Sequence, residues 1–391
     1  MMSTKFVTLR LGIKKNIIDG LLIHIPLGSK TAMITTKNKF AASPVVASRE
    51  NIKSGTIKYI FINSGNANAC TGKEGHKNTK QILHTLSEKL NCTSNEILIM
   101  STGIIGRQLP IKKIIESITN SNLNIYSNIK KAASAIMTTD KFPKYLTKTY
   151  KIGSKNITFR GICKGAGMIE PNMATMLSFI ETNVDLSKTL LKKYLKYCAN
   201  LSFNSISVDG DMSTNDSVVF SSTGNIKLNM KSKSSEAKFL SCASDFFIRL
   251  ASLIVKDGEG ATKFIKLCVI NAKSLVLAQE VSKKLSRSIL VKTAMFGEDP
   301  NWGRIVASIG SIESSNIKPD NIKLRINNIL CFKNGISLDN GSKALEKSMR
   351  KNIIEIAVDL NNGKYKQTMY FCDLSHDCLL YTSPSPRDTN P

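Results

Sequence analysis

The chain has 391 residues, a length that fits two to three domains and allows a sizeable core. Hydrophobic residues make up 42% of it and charged residues 21%, a balance that excludes an intrinsically disordered chain, a coiled coil and a collagen-like repeat. Lysine and arginine (55) outnumber aspartate and glutamate (29), so the net charge is +26, but the lysines are scattered among Asn and Ile without an arginine-rich block. We therefore interpret them as solvated surface charge and not as a nucleic-acid interface.

The cysteines and histidines give no sign of a metal centre. Nine cysteines are spread singly from Cys70 to Cys378 without a CxxC pair, and the four histidines form no cluster. We expect reduced, mostly buried cysteines and no bound metal. The first residues, MMSTKFVTLRLGIKKN, contain neither an apolar signal core nor a cleavage site, and no run approaches the roughly 18 apolar residues of a membrane span. The predicted location is the cytoplasm.

The first half of the chain alternates strand and helix patterns. Short apolar runs separated by Gly, Asn and Ser predict strands at Leu21 to Ile25, Ala32 to Thr35 and Tyr59 to Ile62. Apolar residues at helical spacing then predict a helix within Asn78 to Leu90 and another that starts near Pro110.

The second half continues the same alternation. Helices are predicted after Asp185, through Phe239 to Ile254, and near Ser274 to Leu285. A β-branched stretch follows, and hairpin strands are predicted within Lys323 to Ile336, with Asn334-Gly335 as a turn. The elements together predict a mixed α/β protein without a repeat of fixed period.

The most unusual segment is KGAGMIEPNMATMLSFIETN, which runs from Lys164 to Asn183 and predicts a strand that begins at Thr175. One interpretation of Thr175 is a β-branched residue that opens a strand. The other is a nucleophile. A threonine hydroxyl needs an adjacent base, and a chain cut before Thr175 would free its own α-amine for that purpose. The glycine- and proline-rich turn that ends in Ala174 could expose the peptide bond that must be cut.

KGAGMIEPNMATML resembles the signature of ornithine acetyltransferases, the glutamate N-acetyltransferases of arginine biosynthesis. Further segments resemble blocks of that family in family order, from about residue 8 to residue 375. These segments are FINSGNANACTG (Phe61 to Gly72), STGIIGRQLP (Ser101 to Pro110), MTTDKFPK (Met137 to Lys144), SVDGDMSTNDS (Ser207 to Ser217), KDGEGATK (Lys256 to Lys263) and FGEDPNWGRI (Phe296 to Ile305).

The resemblance implies roles for particular residues. Thr175 would be the nucleophile, freed by self-cleavage between Ala174 and Thr175, and Thr102 and Gly103 would form the oxyanion hole. The implied substrate-binding residues are Thr138 or Thr139, of which we favour Thr139, with Lys164, Thr175 and Glu259. Turn-forming and packing roles suffice for the remaining polar and aromatic residues of the blocks, namely Asn63, Asn66, Asp209, Asp211, Asn215, Asp216 and Trp302.

The resemblance also implies a fold and a reaction. The fold would be a layered α/β/β/α-like sandwich with a smaller C-terminal α/β lobe, cut into an α chain of residues 1–174 and a β chain of residues 175–391 that form a heterotetramer of two of each. An acetyl group would pass from N-acetylornithine to Thr175 and then to glutamate, giving ornithine and N-acetylglutamate. No cofactor is needed, and acetyl-CoA would be a second donor only in a bifunctional version.

The sequence departs from the family near its end. From about residue 378, CLLYTSPSPRDTNP replaces an ending that in the family carries a substrate-binding Asn and Thr or Ser, so we predict that residues 378–391 are disordered or foreign. Two other functions remain open at this point. One is an N-terminal-nucleophile aminopeptidase on a related fold, which would transfer to water. The more remote one is a basic nucleic-acid-binding protein.

Overall fold

The computed structural model describes residues 4–53, 55–170, 176–313, 317–338 and 342–378. The chain divides into two compact units, the first within Met1–Asn204 and Asp211–Ile254 and the second within Ser205–Gly210 and Val255–Pro391. None of the helices in these described ranges has the length and apolar character to cross a membrane.

Strands and helices alternate along much of the described chain. The strands are β1 (Lys5–Leu9), β2 (Gly20–His24), β3 (Lys30–Thr35), β4 (Tyr59–Asn66), β5 (Ile97–Ile104), β6 (Lys144–Ile152), β7 (Lys155–Lys164), β8 (Leu177–Val184), β9 (Ile206–Ser207), β10 (Ser217–Ile226), β11 (Phe264–Ala272), β12 (Lys323–Ile326), β13 (Ile329–Lys333), β14 (Ile336–Ser337), β15 (Ile353–Asp359) and β16 (Tyr365–Cys372). The α-helices are α1 (Ser43–Asn51), α2 (Gly72–Leu90), α3 (Ile111–Asn120), α4 (Ile129–Ala135), α5 (Lys188–Leu201), α6 (Lys233–Lys256), α7 (Leu275–Arg287), α8 (Ile289–Phe296), α9 (Trp302–Gly310) and α10 (Lys343–Met349).

The first unit contains two sheets that pack face to face. One has the strand order β1-β2-β4-β5 and the other β3-β10-β8-β7-β6. Their shared core includes Ile62 and Met100 from the first sheet and Ile162 and Phe179 from the second, all fully buried or nearly so. Because successive side chains of a strand point to opposite faces, each sheet has a second apolar face that must also be covered.

Helices cover these outer faces. Ile82 of α2 and Ile114 of α3 join a buried cluster with Phe61 on the outer face of the first sheet. On the outer face of the second sheet, Phe159 of β7 stacks on Phe246 of α6 with ring centroids 5.5 Å apart. The layers therefore run helix, sheet, sheet, helix, and the predicted α/β/β/α-like sandwich is confirmed.

The second unit is built on one sheet with the order β14-β13-β12-β15-β11-β16-β9. Helix α7 packs on this sheet through Val281 and Leu285, which join Leu267 and Ile356 in one buried cluster. Trp302 stacks on Phe332 with ring centroids 5.6 Å apart, so it has the packing role expected from the sequence. This unit is the smaller α/β lobe that the resemblance implied.

Five of the described α-helices were not predicted, namely α1, α4, α8, α9 and α10. Helix α1 lies within the first sixty residues, where only strands were expected, and α8 occupies the β-branched stretch after α7. The predicted hairpin is present, with Asn334-Gly335 connecting β13 to β14. The described part of the strand predicted from Thr175 begins at Leu177, and Thr175 itself lies outside the described residues.

Candidate active site

Thr102 and Gly103 lie near the carboxyl end of β5, where that strand runs parallel to β4. Thr102 is 1% exposed. Gly103 has a φ of +132°, and a Cβ atom there would lie 2.2 Å from the backbone carbon of Gly65. Only glycine fits so close an approach of two backbones, so the glycine of the STGIIG block is required by the geometry of this strand end.

Lys164 connects three segments of the first unit at this point. It is the last residue of β7 and only 3% exposed. Its Nζ donates hydrogen bonds to Thr102 Oγ1 at 3.2 Å and to Thr138 Oγ1 at 2.8 Å. Three residues that the sequence singled out from separate blocks therefore form one hydrogen-bonded cluster, in which Thr102 and Lys164 are buried and Thr138 is half-buried.

Asp140 contacts two residues of this cluster, Thr138 and Lys164. It was not singled out from the sequence. Its Oδ1 accepts hydrogen bonds from the Gly165 amide at 2.7 Å and from Lys144 Nζ at 2.6 Å, and its Oδ2 accepts one from the Thr138 amide at 2.9 Å. Lys164 Nζ lies 3.9 Å from Oδ2. Burial opposes ionisation of the carboxyl, but the ammonium groups of Lys164 and Lys144 and the Gly165 amide outweigh it and lower the pKa of Asp140 to about 2.

Lys14 is a further cation near the strand ends that the sequence did not reveal. Its side chain lies against Gly65, and its Nζ donates to the carbonyl of Met137 at 2.6 Å. The buried Asp19 carboxylate holds the Lys14 amide at 2.8 Å and so fixes the loop. Burial, together with the charge of Lys164, lowers the pKa of the Lys14 ammonium. In a chain with 55 basic residues, no local signal marks this lysine.

Asparagines of the family blocks fix the backbone around Thr102. Asn215 Nδ2 donates to the carbonyls of Ala67 at 2.7 Å and Ser101 at 2.8 Å. Asn63 Oδ1 accepts a hydrogen bond from Ser101 Oγ at 2.5 Å, and Asn66 Nδ2 donates to the Arg107 carbonyl at 3.1 Å. These contacts agree with the turn-forming and packing roles expected for the asparagines.

Asp216 is a fully buried acid beside the start of β8. Its Oδ1 accepts a hydrogen bond from the Met176 amide at 3.0 Å, whereas its Oδ2 has no hydrogen-bond partner among the described residues. Burial raises the pKa of Asp216 well above its usual value. The Asp216 carboxyl therefore holds the backbone of the first described residue after the predicted nucleophile.

The remaining predicted residues are Thr139, Glu259, Ala174 and Thr175. Thr139 is exposed, next to the buried Asp140. Glu259 belongs to the second unit, in the turn after α6, where its carbonyl accepts a contact from the Cys378 thiol at 2.5 Å. Ala174 and Thr175 lie outside the described residues, as do residues 379–391 of the predicted tail, whereas Cys378 is described and buried.

The described cluster has a clear chemical character. The Thr102 and Thr138 hydroxyls and the Lys164 ammonium meet at the ends of β5 and β7, with the Lys14 ammonium close by, and all of them can donate hydrogen bonds. Such an arrangement suits a carboxylate or the oxyanion of an acyl-transfer intermediate. Among the residues the structure describes, no group of three or more His, Cys, Asp or Glu side chains is placed to hold a metal ion.

Comparison with known proteins identifies the family. The family model described as "ArgJ family" matches residues 5–381. The chain belongs to the ArgJ family. It is 42% identical over 394 residues to the "Arginine biosynthesis bifunctional protein ArgJ, mitochondrial" of Dictyostelium discoideum, covering 94% of this chain and 88% of that protein. It is 41% identical over 359 residues to the "Glutamate N-acetyltransferase" of Methanocaldococcus jannaschii, covering 88% of this chain and 87% of that protein.

A solved ArgJ structure resembles part of the chain. The crystal structure of the arginine biosynthesis bifunctional protein ArgJ from Bacillus halodurans is 32% identical to it with a TM-score of 0.50, and the match covers 52% of this chain and 97% of that one. The resemblance drawn from the sequence blocks is thus confirmed at the level of the ArgJ family.

Proposed function

We propose that the chain is a glutamate N-acetyltransferase that moves an acetyl group from N-acetylornithine to glutamate. The observation that carries the proposal is the pair of hydrogen bonds from the buried Lys164 ammonium to Thr102 and Thr138, because they join three ArgJ-like segments into one set of hydrogen-bond donors. Membership of the ArgJ family and the name of the Methanocaldococcus relative support this reaction over hydrolysis of peptides and over nucleic-acid binding.

The proposed nucleophile is Thr175, freed by cleavage of the Ala174–Thr175 peptide bond. Its hydroxyl attacks the acetyl carbonyl of N-acetylornithine while its α-amine takes up the hydroxyl proton. The Thr102 hydroxyl and the Gly103 amide stabilise the oxyanion of the tetrahedral intermediate. The C–N bond then breaks, the proton passes to the leaving amine, and ornithine departs from an acetyl-threonine. Glutamate attacks this ester through its amine, which regenerates the Thr175 hydroxyl.

Substrate binding follows from the charges that both substrates share. N-acetylornithine and glutamate each carry an α-carboxylate, for which we propose Lys164 as the partner, because a buried ammonium forms strong charge-assisted hydrogen bonds. The contact between the Thr138 hydroxyl and the Lys164 ammonium supports Thr138 as a second substrate-binding residue. We keep Thr139 and Glu259 as proposed substrate-binding residues, with Glu259 accepting from a substrate amino group.

The proposal also covers the association of the two chains, the acetyl donors and the cellular location. The α and β chains would stay associated as a heterotetramer of two each. The reaction needs no cofactor, because Thr175 carries the acetyl group, and acetyl-CoA would serve as a second donor if the chain is bifunctional like its Dictyostelium relative. A cytoplasmic location remains our prediction from the sequence.

A two-substrate assay tests the proposal. Purified protein is incubated with N-acetylornithine with and without glutamate, and ornithine and N-acetylglutamate are quantified. We expect equal amounts of both products and little ornithine without glutamate. Ornithine release that is independent of glutamate, with free acetate as the second product, would indicate transfer to water as in the aminopeptidase alternative and would overturn the proposal.

A further inference from the structure

Asp140 divides its two oxygens between two segments of the candidate site. Oδ1 accepts hydrogen bonds from the Gly165 amide at 2.7 Å and from Lys144 Nζ at 2.6 Å. Oδ2 accepts one from the Thr138 amide at 2.9 Å and faces Lys164 Nζ at 3.9 Å. One carboxylate therefore fixes both the loop that carries Thr138 and the turn that follows Lys164.

The same contacts constrain Lys164 in two places, at its backbone and at its ammonium. Gly165 is the next residue along the chain and has a φ of +146°, so the hydrogen bond from its amide to Asp140 fixes the backbone from which the Lys164 side chain extends. Thr138, whose hydroxyl accepts from the Lys164 ammonium, is held through its own amide. The side chains of Asp140 and Lys144 are fully shielded from solvent, which keeps these electrostatic contacts strong.

We infer that Asp140 is a positioning residue for the transfer reaction, one that orients Lys164 and Thr138 toward the substrate carboxylate. Asp140 itself does not touch substrate in this account. The inference rests on the proposed function, because it assigns Asp140 to the binding of the carboxylate that the two substrates share.

A set of variants separates this role from a purely structural one. Asp140→Asn keeps the shape of the side chain and removes its charge, but it also leaves Lys144 buried without this carboxylate partner, which is destabilising by itself. The double variant Asp140→Asn with Lys144→Met removes both members of that ion pair and keeps a side chain of similar length. If Asp140 serves only to neutralise Lys144, the double variant recovers activity.

Asp245→Asn is the matched control. The Asp245 carboxylate also binds cations, Lys148 Nζ at 2.8 Å and Arg249 Nε at 2.9 Å, and its pKa is also lowered to about 2. It lies in α6, and the partners named here do not belong to the cluster around Thr102. We expect this variant to transfer acetyl groups at the wild-type rate.

The readouts are self-cleavage by intact mass, melting temperature, and KM and kcat for N-acetylornithine and glutamate. We expect KM for both substrates to rise about 10- to 100-fold in the single and the double variant, with a smaller change in kcat, because a misoriented Lys164 weakens carboxylate binding. Wild-type KM in either variant, or recovery in the double variant, would overturn the inference. If neither variant folds, Asp140 is a folding residue and the inference is likewise overturned.

The same data separate this inference from the proposed function. If the wild-type protein does not transfer acetyl groups to glutamate, the proposed function fails. If the wild-type protein transfers them and the Asp140 variants bind both substrates normally, only the role of Asp140 fails.

Discussion

The Thr102 hydroxyl is oriented by the ammonium group of Lys164. Its oxygen accepts a hydrogen bond from Lys164, so its own proton can be donated to a developing oxyanion. We expect Thr102→Ala to lower kcat for acetyl transfer by about 10²- to 10³-fold, the loss typical of one oxyanion-hole donor. Initial rates would be measured on protein shown by intact mass to be cleaved.

Thr102→Ser is the control for this substitution, since it retains the hydroxyl and removes only a methyl group. We expect it to keep most of the activity. An alanine variant that is fully cleaved and as fast as wild type would remove Thr102 from the mechanism.

The depressed pKa of Asp140 makes a prediction about acid stability. The folded-state pKa is about 2, below the usual value of 3.8, so the ionised carboxylate stabilises the folded state above about pH 4. This contribution, about 2 kcal/mol, is lost as the pH falls from about 4 to about 2. We expect the difference in unfolding free energy between wild type and Asp140→Asn to shrink over that range. A difference that stays constant from pH 7 to pH 2 would contradict the pKa.

The parallel pair β4 and β5 depends on the contact between Gly65 and Gly103. Gly103→Ala would place a methyl group 2.2 Å from the Gly65 backbone at a φ of +132°. The cost of the positive φ and the cost of the steric overlap therefore add. We expect it to destabilise the protein by about 3 kcal/mol in chemical unfolding.

Gly28→Ala is the matched control, because Gly28 also has a positive φ, +82°, but no atom lies within 4 Å of the added Cβ. Gly28→Ala should lower the free energy of unfolding by about 1 kcal/mol, which is the cost of a positive φ alone. Equal destabilisation by the two substitutions would mean that the close approach of β4 and β5 contributes nothing.

Sequence periodicity predicted the described α-helices of ten residues or more and missed the shorter ones, which have seven to nine residues. Helix α2 buries Ile82, Leu83 and Leu86 at helical spacing, and its pattern was recognised. Helix α1 has no such pattern, because its buried residues are mostly polar or small: Ser43, Pro44, Val45, Ser48 and Asn51. Helix α8 is short and its sequence contains β-branched residues, which favour a strand, although the Ser288 side chain caps the helix by accepting a hydrogen bond from the Val291 amide.

The candidate site was predictable where family blocks marked it and not where the fold alone creates it. Thr102 and Lys164 belong to recognisable blocks, and the structure brings them within hydrogen-bond distance. Asp140 stands beside two threonines in MTTDKFPK, but nothing in that segment reveals that its carboxylate reaches Gly165, 25 positions away. Lys14 has no distinguishing neighbour at all.

The proposed cleavage would divide one compact unit and not a linker between two. Strands β7 and β8 flank the proposed cut and pair antiparallel from Phe159↔Thr182 to Lys164↔Leu177. Strand β3, from the α-chain side, also pairs with β10 from the β-chain side. Both pairings lie inside the second sheet of the first unit, so the two chains would share one sheet after cleavage.

We therefore expect the cleaved chains to remain together. In native buffer they should coelute in size-exclusion chromatography, and they should separate on a denaturing gel because no peptide bond joins them. Elution of two independent chains under native conditions would show that the β7–β8 pairing does not survive cleavage.

In the proposed mechanism Thr175, as a new N-terminus, carries the acetyl group. Intact-mass analysis of the purified protein after brief exposure to N-acetylornithine without glutamate tests this role. We predict two chains that correspond to residues 1–174 and 175–391, an added acetyl group on the second chain alone, and loss of that group when glutamate is supplied. A single uncut chain in the wild-type protein, or an acetyl group that persists in Thr175→Ala, would contradict this role of Thr175.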